Sequence, residues 1–168
     1  MSTPYRISKL VSGGQTGADR AALDVALALG IPCGGWVPKG RLAEDGRIPD
    51  VYPNLVEADS QVPEVRTEFN VRDSDATLIF SRGSLTGGSG FTREVAARLG
   101  KPCLHVDLAV APHAEAVATV CRWLDEVQPA VLNVAGPRAS SDPKIYARVR
   151  DVLTEALSSA AGGNESGS

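Results

Sequence analysis

With 168 residues, 43% hydrophobic and 22% charged, and a formal net charge of −3, the chain has the composition of a globular protein and the length of one domain. Seventeen Lys+Arg against twenty Asp+Glu leave no basic excess to neutralise a nucleic-acid backbone or an anionic membrane surface, so neither is expected as a partner. No apolar run approaches the ~20 residues that span a bilayer, and the start MSTPYRISKLVSGG lacks a secretory pattern, which points to a cytoplasmic protein. Cys33, Cys103 and Cys121 are odd in number with no CxxC pair, and only His105 and His113 could join them, so neither a disulfide framework nor a metal site is expected.

Short apolar runs alternate with stretches of helical period, the signature of an α/β, Rossmann-like, doubly wound and mostly parallel sheet of about five strands. The first strand, Arg6 to Val11, runs through Gly13, Gly14, Gln15, Thr16 and Gly17 into a helix that ends at Leu29, with Gly30 as its stop. Glycines at such a turn let a phosphate approach the main chain, and the amides of the first helical turn favour negative charge. The loop is not a Walker loop, because no Gly-Lys-Ser/Thr follows. Ser12 replaces the first glycine of a dinucleotide fingerprint, and the second strand, Ile31 to Trp36, ends without a ribose-binding acid. Asp19, in the first helical turn, reads as an acid that complements the helix dipole.

The stretch from Val37 to Val65 carries six prolines and glycines that break regular structure, and it is either a functional lid or a wrap over a sheet edge. Lys39 and Arg41 within it could close over an anion or only solubilise the loop. A third strand, Ala76 to Ser81, opens into a second glycine loop with Gly87, Gly88, Ser89 and Gly90, ahead of a helix expected from Thr92 to Gly100. If the first and third strands are neighbours, both loops face one crevice, where ligands of open parallel sheets bind. A fourth strand, Pro102 to Val106, leads to a helix from His113 to Val127. The fifth, Ala130 to Ala135, ends in Gly-Pro-Arg, from which Arg138 could clamp a phosphate. Asn133, inside that strand, could satisfy buried backbone groups. Asp142 and Pro143 cap a last helix. One folded unit is expected over 5–158, and a disordered tail over 159–168.

The segments SGGQTGADRAALDVAL, GGWVPKGRLAEDG, RTEFNVRDSDATLIF and LNVAGPR together resemble the circularly permuted YpsA-like family of the SLOG superfamily, from Val11 to about Tyr146. The resemblance implies a Rossmann-like fold, a nucleotide or pterin-phosphate pocket, a homo-oligomer, and kinship with molybdenum-cofactor carriers and cytokinin-activating phosphoribohydrolases. Arg66, Ser74-Asp75-Ala76 and the run from Thr86 to Glu94 are similar to the hydrolase motifs, which would make Glu94 and Arg66 the catalytic pair of a nucleoside 5′-monophosphate phosphoribohydrolase. The carboxylate would stabilise an oxocarbenium-like ribose. Thr86 in place of proline, Phe91 in place of threonine and Thr67 in place of lysine depart from that motif. The leading reading is therefore a protein that binds a phosphorylated small molecule, a nucleotide derivative or molybdenum cofactor, between its glycine loops, with Arg138. The alternatives are the hydrolase and a nucleotide-sensing module.

Overall fold

The computed structural model describes residues 5–162, with side chains through Ser158. In chain order the elements are β1 (Lys9–Val11), α1 (Ala18–Leu29), β2 (Cys33–Val37), β3 (Leu42–Ala43), β4 (Gly46–Arg47), β5 (Leu55–Glu57) and α2 (Pro63–Arg72). They continue with β6 (Ala76–Ser81), α3 (Gly87–Arg98), β7 (Cys103–Asp107), α4 (His113–Val127), β8 (Val131–Ala135) and α5 (Ile145–Gly162). A six-stranded sheet in the order β5-β2-β1-β8-β6-β7 is parallel throughout, and β3 and β4 form a separate antiparallel hairpin.

Both faces of the sheet are covered, which is why its strands read as nearly unbroken apolar runs. On one face α1 and α4 flank α5, over Leu78 and Phe80 of β6 and Leu132 and Val134 of β8, all buried. Ala18, Ala21, Ala22 and Ala26 are fully buried on α1, and their small side chains let that helix lie close against Val149, Val152 and Leu153 of α5. The other face carries α2 and α3, where Val71, Val95 and Ala96 form a smaller cluster with Phe91 and Cys103.

All five expected strands are present, and the helices α1 and α4 keep their expected limits within a residue. Five features differ. The expected neighbourhood of the first and third strands does not occur, because β8, the last strand of the chain, pairs with β1 on one side and β6 on the other. The segment 37–65 supplies a sixth strand, β5, which pairs with β2 at the sheet edge, and a hairpin. The helix α3 begins at Gly87 instead of Thr92, so the second glycine run is its first turn. The last helix begins at Ile145 after a turn in which the Lys144 amide donates to Asp142 Oδ1 at 3.1 Å, so Asp142 caps the approach to the helix. The helix α5 continues to Gly162, into the segment expected to be a tail, and 163–168 lie outside the described residues.

The strand order becomes familiar when counting starts at β8. Taken as β8, β1, β2, β5, β6, β7, the sheet reads 4-3-2-1-5-6, the doubly wound order in which connections turn one way from the first strand and the other way beyond it. The switch point therefore lies between β8 and β6.

Candidate functional site

A cavity of about 500 Å³ opens at that switch point, within the range of small-molecule sites. Its walls are the loop and first turn after β6, the Ala135–Ser141 run after β8, and side chains from the starts of α1 and α2. A second space of about 20 Å³, enough for one water, lies between Gly13, Asp19, Arg66, Asn70, Thr92 and Asn133, several of which also border the main cavity.

The β6 side presents bare main chain to the cavity. Thr86 is extended and offers no side-chain cap, and no acid stands in the first turn of α3. The amides of Gly87, Gly88 and Ser89 have no acceptor among the described residues, since the first bond of the helix runs from Gly90 N to Thr86 O. Such amides, at the positive end of a helix dipole, favour an anion. Gly87 has φ +51, and an added Cβ at Gly87 or Gly88 would meet nothing within 4 Å. The preceding turn is fixed from below. Ser81 Oγ donates to Gly83 O and lies 2.6 Å from His105 Nε2, while Asp107 accepts from the Gly83 and Ala109 amides, which hold its carboxyl below the usual range.

The β1 side differs from expectation. Open amides were expected from Gly13 to Gly17, but those of Gly14, Gln15 and Thr16 pair with Ser12 Oγ, Asp19 Oδ2 and Gln15 Oε1, and that of Ala18 donates to Pro137 O. The β3–β4 hairpin also closes over this loop. Glu44 accepts from Thr16 and Ser140, which lowers its pKa, and the Glu44 amide donates to Gln15 Oε1. Arg20 donates twice to Asp45, and Arg41 is occupied by the Ile48 and Pro49 carbonyls. What the first loop presents to the cavity is Gln15 and, across Gly13, Arg66.

Arg66, which the sequence left between the crevice and a surface ion pair, lines the cavity. A Cβ on Gly13 would stand 2.4 Å from its Nε, so the missing side chain is what lets the guanidinium lie there. Its Nη1 donates to Thr67, its Nη2 lies 4.0 Å from Asp19 Oδ2, and its buried Nε has no partner. An unmet donor in that position costs about 1–3 kcal/mol unless a water or ligand fills it. Arg138 borders the same cavity from the β8 loop and is exposed.

Glu94 is exposed and does not border the cavity. With α3 starting at Gly87, the inward stripe is Ser89, Thr92, Val95 and Ala96, and position 94 falls off it. Gly90 also stands back from the cavity, whereas Gly87, Gly88 and Ser89 border it. Arg72 pairs with Asp73 at the surface. Asn133 is buried and donates to Thr77 Oγ1.

Two carboxylates border the crevice, the exposed Glu64 and the buried Asp19, whose side chain is 7% exposed. Burial pushes its pKa up to about 6, against the opposing pull of Arg66. A signal for it existed in the sequence, because Asp19 shares a helical face with the apolar Ala22 and Ala26. Among the described residues no group of three or more His, Cys, Asp or Glu side chains is placed to hold a metal ion, and no helix is long and apolar enough to cross a membrane.

Comparison with known proteins agrees with this architecture. The crystal structure titled "Putative molybdenum carrier protein" from Syntrophus aciditrophicus SB superposes with a TM-score of 0.90 at 50% sequence identity, over 92% of this chain and 98% of that one. No curated protein matches the chain. The model of the circularly permutated YpsA SLOG family matches residues 10–157, and a last strand set at the centre of the sheet is what a permuted doubly wound fold requires. The chain belongs to the circularly permutated YpsA SLOG family.

Proposed function

We propose that the protein binds a phosphorylated small molecule in the crevice between β6 and β8 and serves as a carrier for it. The observation that carries this reading is the convergence of three unpaired amides, Gly87 to Ser89, with Arg66 and Arg138 on one cavity. The volume suits a ligand of nucleotide size, with the phosphoryl group at the α3 terminus. The similar protein from Syntrophus aciditrophicus is named for molybdenum, which makes a molybdenum cofactor one candidate cargo and a nucleotide derivative the other. Without a cluster of metal-ligating side chains among the described residues, molybdenum would arrive inside its own phosphorylated cofactor.

The hydrolase reading loses support from Glu94, which is exposed and does not border the cavity. The test is a pair of measurements on the purified protein. Native mass spectrometry with nucleoside monophosphates added should show a one-to-one complex, and incubation should release no free base. Gly88→Leu puts a side chain into the cavity where nothing now stands, so it should abolish the complex while the melting temperature changes little. Binding unchanged by Gly88→Leu, or base release by the wild type, would overturn the proposal.

A further inference from the structure

Asp19 is an unusual group to find beside an anion site. Its Oδ2 accepts the Gln15 amide at 3.3 Å, and its Oδ1 accepts no hydrogen bond among the described residues. Three cations act on it: Arg66 from α2, Arg20 from its own helix and Arg138 from the β8 loop. Glu64 of α2 and Glu44 of the hairpin are the acids nearby, and α3 contributes only the neutral Thr92 to the shared floor. An anion held by Arg66 and Arg138 thus has as its neighbour a largely buried carboxylate whose one unbonded oxygen, Oδ1, stays accessible.

Resting on the reading above, we propose that Asp19 is the specificity-determining residue of the crevice, selecting anions that bring a proton of their own, such as monohydrogen phosphate, over proton-free dianions such as sulfate. An ionised carboxylate can only accept. A phosphate oxygen that carries a proton can donate to Oδ1, whereas sulfate meets the same carboxylate with lone pairs and like charge. A site built to accept a donor discriminates strongly against a ligand without one, because a buried polar group is then left unmet. A phosphate monoester, whose second proton leaves near pH 6, would retain or take up that proton on binding. Free molybdate carries no proton at neutral pH and would be rejected with sulfate, which agrees with a cargo held by its phosphate.

The sense of the pH dependence follows from Asp19 itself. Below about pH 6 the carboxyl is protonated, becomes a donor and accepts either anion; above it only the proton-bearing anion is favoured. Isothermal titration with inorganic phosphate and with sulfate, at pH 7.5 and pH 5.0, tests this on the wild type without any variant. Phosphate should bind at least about tenfold more tightly than sulfate at pH 7.5, and the gap should close to within about threefold at pH 5.0. Asp19→Asn, whose amide can donate, should bind both within about threefold at pH 7.5. Equal affinities in the wild type at pH 7.5, a gap unchanged at pH 5.0, or a gap that persists in Asp19→Asn would overturn the role of Asp19 while leaving the anion crevice standing. If neither anion binds at either pH, the crevice reading falls as well.

Discussion

Gly17→Ala is expected to destabilise the protein by at least about 3 kcal/mol, combining backbone strain with a main-chain clash. Gly17 has φ +83 and ψ −129, a combination that L side chains adopt only under strain. An added Cβ would also stand 2.4 Å from Pro137 O and 2.9 Å from Ala139 N, both backbone atoms that cannot swing aside. Those atoms belong to the β8 loop, which donates from Ala139 N to Thr16 Oγ1 and accepts from Ala18 N. The first glycine loop is thus the seam between β1 and the central strand, and urea unfolding should register the substitution as a large fall in midpoint. A loss below about 1 kcal/mol would show that the seam can open, contrary to the packing. Gly88, with open space around it, is the contrasting case.

Arg66→Ala is expected to weaken phosphate binding about a hundredfold while the fold persists, since charge-assisted hydrogen bonds contribute about 1.5–3 kcal/mol each and every 1.4 kcal/mol is tenfold. Arg66 spans the crevice, touching Gly13 on one side and Asp19 on the other, and its Nε is the one buried side-chain polar atom without a partner among the described residues. Its loss also removes the largest attraction that holds the Asp19 proton affinity down, so repulsion of an anion should be partly relieved by protonation of that acid. Arg66→Lys keeps the charge but not the planar fork, and should recover only part of the affinity. Isothermal titration with inorganic phosphate measures both variants, and an affinity within threefold of wild type in Arg66→Ala would remove Arg66 from the site.

The parts legible in the sequence are those set by local pattern. The limits of α4 followed from its helical period, and β6 stood out as a short, mostly apolar run whose six residues are all buried in the structure. The start of α3 was not legible, because three glycines within four residues read as a loop on propensity alone, each costing about 1 kcal/mol in a helix interior. In the first turn that cost is smaller than in the interior, and Thr92 Oγ1 donating to Gly88 O helps to hold the turn. The central place of β8 was illegible for a different reason. Strand order depends on pairings far apart in the chain, and nothing local marks the last strand as the first of a permuted set. Glu94 was misplaced with α3, since moving the helix start to Gly87 decides which stripe faces inward, and Asp19, whose first-turn position reads as a complement to the helix dipole, also lies on the buried face of α1.

The central claim is that an anion sits on the bare first turn of α3, and the most direct measurement is a titration of the 15N-labelled protein with inorganic phosphate, followed by amide NMR shifts. Saturable shifts concentrated at Gly87, Gly88 and Ser89, together with the Arg66 Nε–H, are the predicted result, and they should vanish in Arg66→Ala. Shifts confined to other surfaces, or a spectrum unmoved at those three amides by saturating phosphate, would contradict it.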